Sequence, residues 1–192
     1  KMKPVSRGIL DGILTMPLVL PPTVAGFILL LLFSLRRPFG AFLLDNFDIK
    51  IVQTWKGCVV AAAVIAFPLM YRNARAAMEQ IDVNLIYAGQ TLGMSDRRIF
   101  WKVIVPAAAP GIASGTVLAF ARAIGEYGAT SMLAGNILGK TRTVSVAIAA
   151  ETSAGNYDIA GFWVVVIVVI SFVIVALINI VSGRGMKSRR WI

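Results

Sequence analysis

The sequence has no histidine and a single cysteine, Cys58. The first absence excludes a His-containing zinc site; the lone thiol excludes a thiolate cluster and any internal disulfide. Charge is scarce too. Asp, Glu, Lys and Arg make up 15% of the 192 residues, against roughly 25% in an ordinary soluble domain. Hydrophobic residues make up 58%, and a soluble fold of this size buries only part of its surface. Lipid lets apolar side chains face outward, so these totals point to a membrane protein.

Acidic residues are the rarer sign, 9 against 19 basic, for a formal charge of +10. That balance does not indicate nucleic acid. The basic residues lie mostly between apolar runs, with no basic amphipathic helix and no long basic block. Flanking charge of this kind is what membrane topology requires.

Four charge-free stretches are present: 12–35, 57–71, 103–121 and 161–183. A bilayer core of ~30 Å needs about 20 helical residues. The second stretch reaches that length by extending back through 51–56, with Lys56 snorkelling to the interface. The expected spans are therefore about 12–35, 52–71, 103–123 and 161–183, in an all-α polytopic fold. The first run is not expected to be a cleavable signal, because it is long, carries three prolines and lacks a small-residue exit. Trp55, Trp101 and Trp163 lie at run edges and Trp191 just beyond the last, as interfacial tryptophans do.

Placing the N-terminus inside puts twelve basic residues on that side. They are Lys1, Lys3, Arg7, Arg72, Arg75, Arg97, Arg98, Lys102, Arg184, Lys187, Arg189 and Arg190. The outer side keeps seven: Arg36, Arg37, Lys50, Lys56, Arg122, Lys140 and Arg142. This bias predicts both termini in the cytoplasm. Pro17, Pro21, Pro22, Pro68, Pro106 and Pro110 fall within or beside the spans. Each is expected to kink or break its helix, since proline removes a donor and clashes with the preceding turn. Gly111 and Gly115 form a G-x-x-x-G that admits a close helix neighbour.

Residues 134–141 read AGNILGKT, a loose form of the phosphate-cradling P-loop. The context argues against nucleotide binding. The preceding GEYGATSML is no clean strand, the first motif position is alanine, and the segment lies on the outer side, away from cellular ATP. A turn built on Gly135 and Gly139, with Lys140 exposed, is the expectation.

The inner loop 72–102 carries more information. Apolar residues at 85, 86, 88 and 92 have helical spacing. Gly93 suits the helix end, and Ser95 or Asp96 is placed to cap the helix that re-enters the membrane. Such an element is either a docking knob for a cytoplasmic partner or a helix lying on the membrane surface.

Tyr87-Ala88-Gly89, three residues, Gly93, then nine residues to Val103, Val105 and Pro106 resembles the EAA loop of ABC importer permeases. Ala88, Gly93 and Pro106 match that pattern; Tyr87 stands in place of its Glu and Gly89 in place of its second Ala. MPLVLPPTVAGFILLLLF, FPLMYRNARAAMEQID, AGQTLGMSDRRIFWKVIVPAAAPGI and VLAFARAIGEYGAT are similar to the molybdate branch of those permeases, near the sulfate permeases. The resemblance covers about 10–143 and extends weakly through the last span. It implies a type I ABC importer permease fold, a single transmembrane domain over 1–192 with four membrane helices and a cytoplasmic coupling helix in a loop at about 80–100. Family members usually carry at least one more membrane helix before Leu10, so the resemblance implies a truncated chain or a short variant here, lacking one N-terminal helix.

The resemblance also implies partners. They are a second permease copy forming a homodimer, two ABC ATPase subunits, an external binding protein and membrane lipid. ATP and magnesium would be bound by the ATPase; this chain would bind no cofactor and catalyse nothing. Leu85, Ile86, Tyr87, Ala88, Gly89, Leu92 and Gly93 would form the ATPase-coupling element, with Leu85, Ile86 and Leu92 as its apolar contact. The implied cargo is molybdate, with sulfate or tungstate as alternatives. An anion channel or secondary transporter is the alternative of another class.

Arg122 and Glu126, four residues apart near the outer end of the third span, can pair on a helix. The pair either stiffens the helix end or forms an outer gate. Thr23, Ser114, Thr116, Thr130 and Ser131 offer hydroxyls to a passing dianion.

Overall fold

The computed structural model describes residues 4–187. Lys1, Lys3, Arg189, Arg190 and Trp191, used in the charge and tryptophan arguments, lie outside the described residues, as do the side chains of Arg7, Arg184 and Lys187. Among the described residues there is no strand. The helices are α1 (Pro4–Val19), α2 (Pro22–Phe33), α3 (Pro38–Phe47), α4 (Trp55–Glu79), α5 (Val83–Thr91) and α6 (Asp96–Ile99). A π-helical segment, Phe100–Ile104, leads into α7 (Val105–Ile124), followed by α8 (Gly128–Leu133), α9 (Val144–Ser153) and α10 (Tyr157–Lys187).

Three helical stretches are long and apolar enough to cross a membrane: Trp55–Glu79, Asp96–Ile124 and Tyr157–Ala176. The last has a mean hydropathy of 3.0 with only 6% of that window buried. Its exposed side chains include Phe162, Val165, Val168 and Phe172. Burying each such side chain is worth about 1.5–3 kcal/mol. A water-soluble fold would forgo that gain along a whole helix, whereas lipid supplies it.

The run read from sequence as the first span, 12–35, falls in a bent pair of helices. Helices α1 and α2 turn by 113° at the break between them. Two consecutive prolines cause it. Pro22 pushes Pro21 out of the helical region, to φ −52 and ψ 134. Neither ring nitrogen donates a hydrogen bond. The chain restarts at once, because Val24 and Ala25 N–H both donate to the Pro21 carbonyl, at 2.9 and 3.2 Å. With 16 and 12 residues, α1 and α2 rise only ~24 and ~18 Å, so neither half crosses a bilayer alone.

The other prolines act differently. Helix α4 continues past Pro68 and α7 past Pro110. Before Pro106 the helix widens into the π segment Phe100–Ile104. Pro106 cannot donate to the carbonyl four residues back and its ring collides with it, and a wider turn relieves that collision. Helices α3, α8 and α9 lie in stretches read from sequence as loops.

The chain forms two compact units, Lys1–Pro68 with Phe120–Val173 and Leu69–Ala119 with Ile174–Ile192. In the first, α2 packs along α8. A Cβ on Gly26 would lie 2.6 Å from Ala129 Cα, and one on Gly128 would lie 2.9 Å from Pro22 Cβ, so glycine is what lets these backbones meet. Ala25, Leu29, Ile51, Ala61, Ile65, Ala129 and Leu133 form the core around that contact. In the second unit, Gly115 places α7 against α4, where a Cβ would come within 2.6 Å of Asn73 Cβ. Gly111 makes the same kind of approach to Ala77.

The AGNILGKT segment joins α8 to α9 as a closed turn. Gly135 and Gly139 both adopt φ +73. The buried Thr141 hydroxyl accepts from Ile137 N–H at 3.0 Å and donates to the Gly135 carbonyl at 3.4 Å. The amides of Lys140, Thr141 and Arg142 all converge on the Ile137 carbonyl. A phosphate cradle needs such amides turned outward; here they are spent within the turn.

Gly115→Val is expected to destabilise the purified protein by about 1–3 kcal/mol through overpacking, read as a lower melting temperature in detergent; Leu118→Val, on the exposed side of α7, is expected to leave it unchanged. Thr141→Val strands the Ile137 amide, an expected cost of about 1–3 kcal/mol. Limited proteolysis should then cut within 134–143, while Lys140→Ala should leave the digestion pattern as it was.

Candidate functional site

The inner loop folds around α5. Asp82 caps its start, with its carboxylate accepting from Asn84 N–H at 2.9 Å. At its end Gly93 adopts φ +71. Gly93 N–H donates to the Gln90 carbonyl at 2.9 Å and Met94 N–H to the Gly89 carbonyl at 3.0 Å. This is a Schellman closure, and it needs the left-handed residue that glycine supplies most cheaply. Ser95 stands at the cap position of α6 as expected, but its side chain makes no capping bond. Asp96 contributes instead as an acidic group in the first turn.

Gly89 faces inward. A Cβ there would lie 3.0 Å from Ile99 Cγ1 and 3.8 Å from Met94 Sδ, and Ile99 is buried. Helix α5 is thus seated on α6 through a glycine and an isoleucine, and α6 runs through the π segment into α7. Ile86 is half-buried. Leu85, Ala88 and Leu92 lie at helical spacing along one exposed stripe beside Gly89. Leu85 is 47% and Leu92 80% exposed, so neither serves this chain's core. Tyr87 is exposed to the side. A Cβ on Gly93 would meet nothing within 4 Å. The helix itself carries no charge, while Asp82, Arg97, Arg98 and Lys102 surround it in sequence. Asp82, Met94 and Ile99 complete this element and were not singled out from sequence. An Asp directly before an apolar helical run was the readable signal for the first; the other two depend on tertiary packing.

The second group of candidate residues divides between the units. Thr23, Arg122, Glu126, Thr130 and Ser131 belong to the first, Ser114 and Thr116 to the second. Arg122 and Glu126 form the ion pair their spacing suggested, Nη1 to Oε2 at 2.8 Å. The arginine side chain is 33% exposed and the glutamate 1%. The second oxygen of Glu126 accepts from Ala129 N–H at 2.7 Å. Thr130 is buried in α8. Ser131 donates to the Gly128 carbonyl at 3.0 Å and Thr116 to the Ile112 carbonyl at 2.9 Å, both within their own helices. Thr23 and Ser114 are exposed. Among the described residues no group of three or more His, Cys, Asp or Glu side chains is arranged to hold a metal ion.

A family model described as the binding-protein-dependent transport system inner membrane component matches residues 1–183. The Bacillus subtilis (strain 168) protein YvgM, whose name assigns it to molybdenum transport, is 43% identical over 170 residues, covering 88% of this chain and 75% of that protein. The molybdenum transport system permease protein ModB of Escherichia coli (strain K12) is 47% identical over 142 residues, 74% of this chain and 62% of its own. The sulfate transport system permease protein CysT of Salmonella typhimurium (strain LT2) is 35% identical over 178 residues, 93% of this chain and 64% of its own. The chain thus matches less than two thirds of the length of ModB and CysT. By name all three are permeases, which are transport components and not enzymes. Matched by the family model over nearly its whole length, the chain belongs to the binding-protein-dependent transport system inner membrane components.

Proposed function

We propose that this chain is the membrane-spanning permease of an ATP-driven molybdate importer. It works as a homodimer beside two separate ATPase subunits, with an external binding protein delivering the oxyanion and with both termini in the cytoplasm. ATP and magnesium belong to the ATPase. The observation that carries the coupling role is the exposure of Leu85, Ala88 and Leu92 along the uncharged α5, while Gly89 and Ile99 hold the helix to the chain behind it. A groove on the ATPase would bury those side chains. Motion of the ATPase would pass through the Gly89–Ile99 contact to α6 and on into α7. The work comes from ATP favouring one of two arrangements of the assembly, since a ligand shifts an equilibrium only by its differential affinity.

The choice of molybdate over sulfate rests on relatives at 43% and 47% identity against 35%. A tetrahedral dianion must be held weakly to move on. Arg122 and Glu126, joined as an ion pair, are candidates for an outer gate. Thr23, Ser114, Thr116, Thr130 and Ser131 are the remaining candidates for contact with the anion.

The test is uptake into vesicles holding the permease and its ATPase, with loaded binding protein outside. Uphill molybdate accumulation is expected only with both ATPase and ATP, and accumulation without the ATPase would sink the reading in favour of a secondary transporter. Stronger competition by sulfate than by tungstate would move the assignment to sulfate. Gly93→Asp is expected to cut uptake at least tenfold while ATP hydrolysis continues. Aspartate enters the left-handed region more readily than most residues, at some strain, and its side chain would enter open space, so docking suffers more than the fold. Leu92→Asp is expected to do the same.

A further inference from the structure

We propose that Glu126 is a positioning residue, a two-sided clamp that seats α8 on α2 at the α1–α2 break. This rests on the transport reading above and adds the element that holds one wall of the candidate pathway in place.

Burial comes first. The Glu126 side chain is 1% exposed, and a lone carboxylate that deeply buried would be strongly disfavoured. Here each oxygen has its own partner. Oε2 meets Arg122 Nη1 at 2.8 Å, one turn back in α7. Oε1 accepts from Ala129 N–H at 2.7 Å, in the first turn of α8. A bond from a charged acceptor to a helix amide is stronger than a neutral one, and negative charge at a helix start is favoured by the dipole. An ordinary i,i+4 surface pair has none of these features and contributes little.

What the clamp holds follows from the neighbouring residues. It spans the short link between the end of α7 and the start of α8. Ser145 reinforces the same corner, its hydroxyl donating to the Ile124 carbonyl at 3.4 Å. Directly beyond the clamp, Gly128 lies over Pro22, and Ala129 lies against Gly26. The residue whose amide Glu126 grips is therefore the residue on which α2 rests. Gly26 and Ala129 carry too little side chain to lock together; Met132 Cβ also closes on Gly26 and Leu29 and Leu133 share the core, and the angle at which α8 starts decides whether these contacts are made. The carboxylate fixes that angle. The exposed Arg122 neutralises the charge from the outer side, so the corner carries no net charge.

The amide bond, more than the charge pair, is the positioning contact, and this separates the clamp from a plain ion pair. Glutamine at 126 keeps an oxygen for Ala129 N–H; alanine keeps none. The measurements use the assembled transporter in vesicles with Cys58→Ser, and spin labels on cysteines replacing Phe27 in α2 and Leu138 in the turn that follows α8. Both positions are accessible. Glu126→Ala is expected to broaden the α2–α8 distance distribution and to lower molybdate moved per ATP hydrolysed at least tenfold, with the apparent KM for loaded binding protein unchanged. Glu126→Gln is expected to restore a narrow distribution and uptake within about threefold of the parent. A narrow distribution in Glu126→Ala would overturn the clamp. So would a Glu126→Gln variant as broad and as impaired as Glu126→Ala, since charge alone would then be at work. If the unsubstituted complex moves no molybdate, the transport reading fails, while the distance distributions still decide whether Glu126 seats α8.

Discussion

The unit formed by Lys1–Pro68 with Phe120–Val173 depends on one close approach, the backbone of α2 at Gly26 against the backbone of α8 at Ala129. In lipid, apolar side chains gain little from burial against one another, so association rests on packing and on satisfied polar groups. Small residues at the crossing supply the first. The Glu126 carboxylate on the Ala129 amide supplies the second. Around this contact the larger side chains Leu29, Ile51, Ile65 and Leu133 fill a core. Gln53 N–H closes the end of α8 by donating to the Leu133 carbonyl at 3.1 Å. Part of that arrangement sits where α2 begins afresh, since Gly128 packs against Pro22.

The other unit solves a different problem. It carries α5, largely exposed, together with parts of α4 and α7, helices long and apolar enough to cross a membrane. Helix α5 achieves that exposure with a capped start, a glycine-closed end and one contact inward, so its backbone is satisfied without help from neighbours. The cost is an apolar face left bare. In a chain that belongs to a family of transport components, a bare face held this firmly fits an element that another protein grips.

Much of this was legible in the sequence, and the reasons are physical. The three unbroken spans follow from runs of uncharged apolar residues, because lipid forbids exposed backbone and leaves few alternatives to helix. Gly93 follows from its position after an apolar helical repeat, and the Arg122–Glu126 pair from i,i+4 spacing. The break at Pro21 was foreseeable as an interruption, but its 113° turn depends on what α2 then packs against. Helices α8 and α9 were not legible. At 6 and 10 residues they are too short for a periodic signal and owe their existence to contacts. The second role of Glu126 was equally hidden, since its partner is a backbone amide and every residue except proline has one.

The π segment gives chain length a meaning that residue identity does not. A helix advances about 100° per residue, so a single deletion between Ile99 and Val105 does more than shorten a linker. It turns α5 about the axis of α7 by more than a quarter turn and points Leu85 and Leu92 somewhere else. Residue count over that stretch thus acts as an angular setting, and drift in length there is far less tolerable than drift in composition.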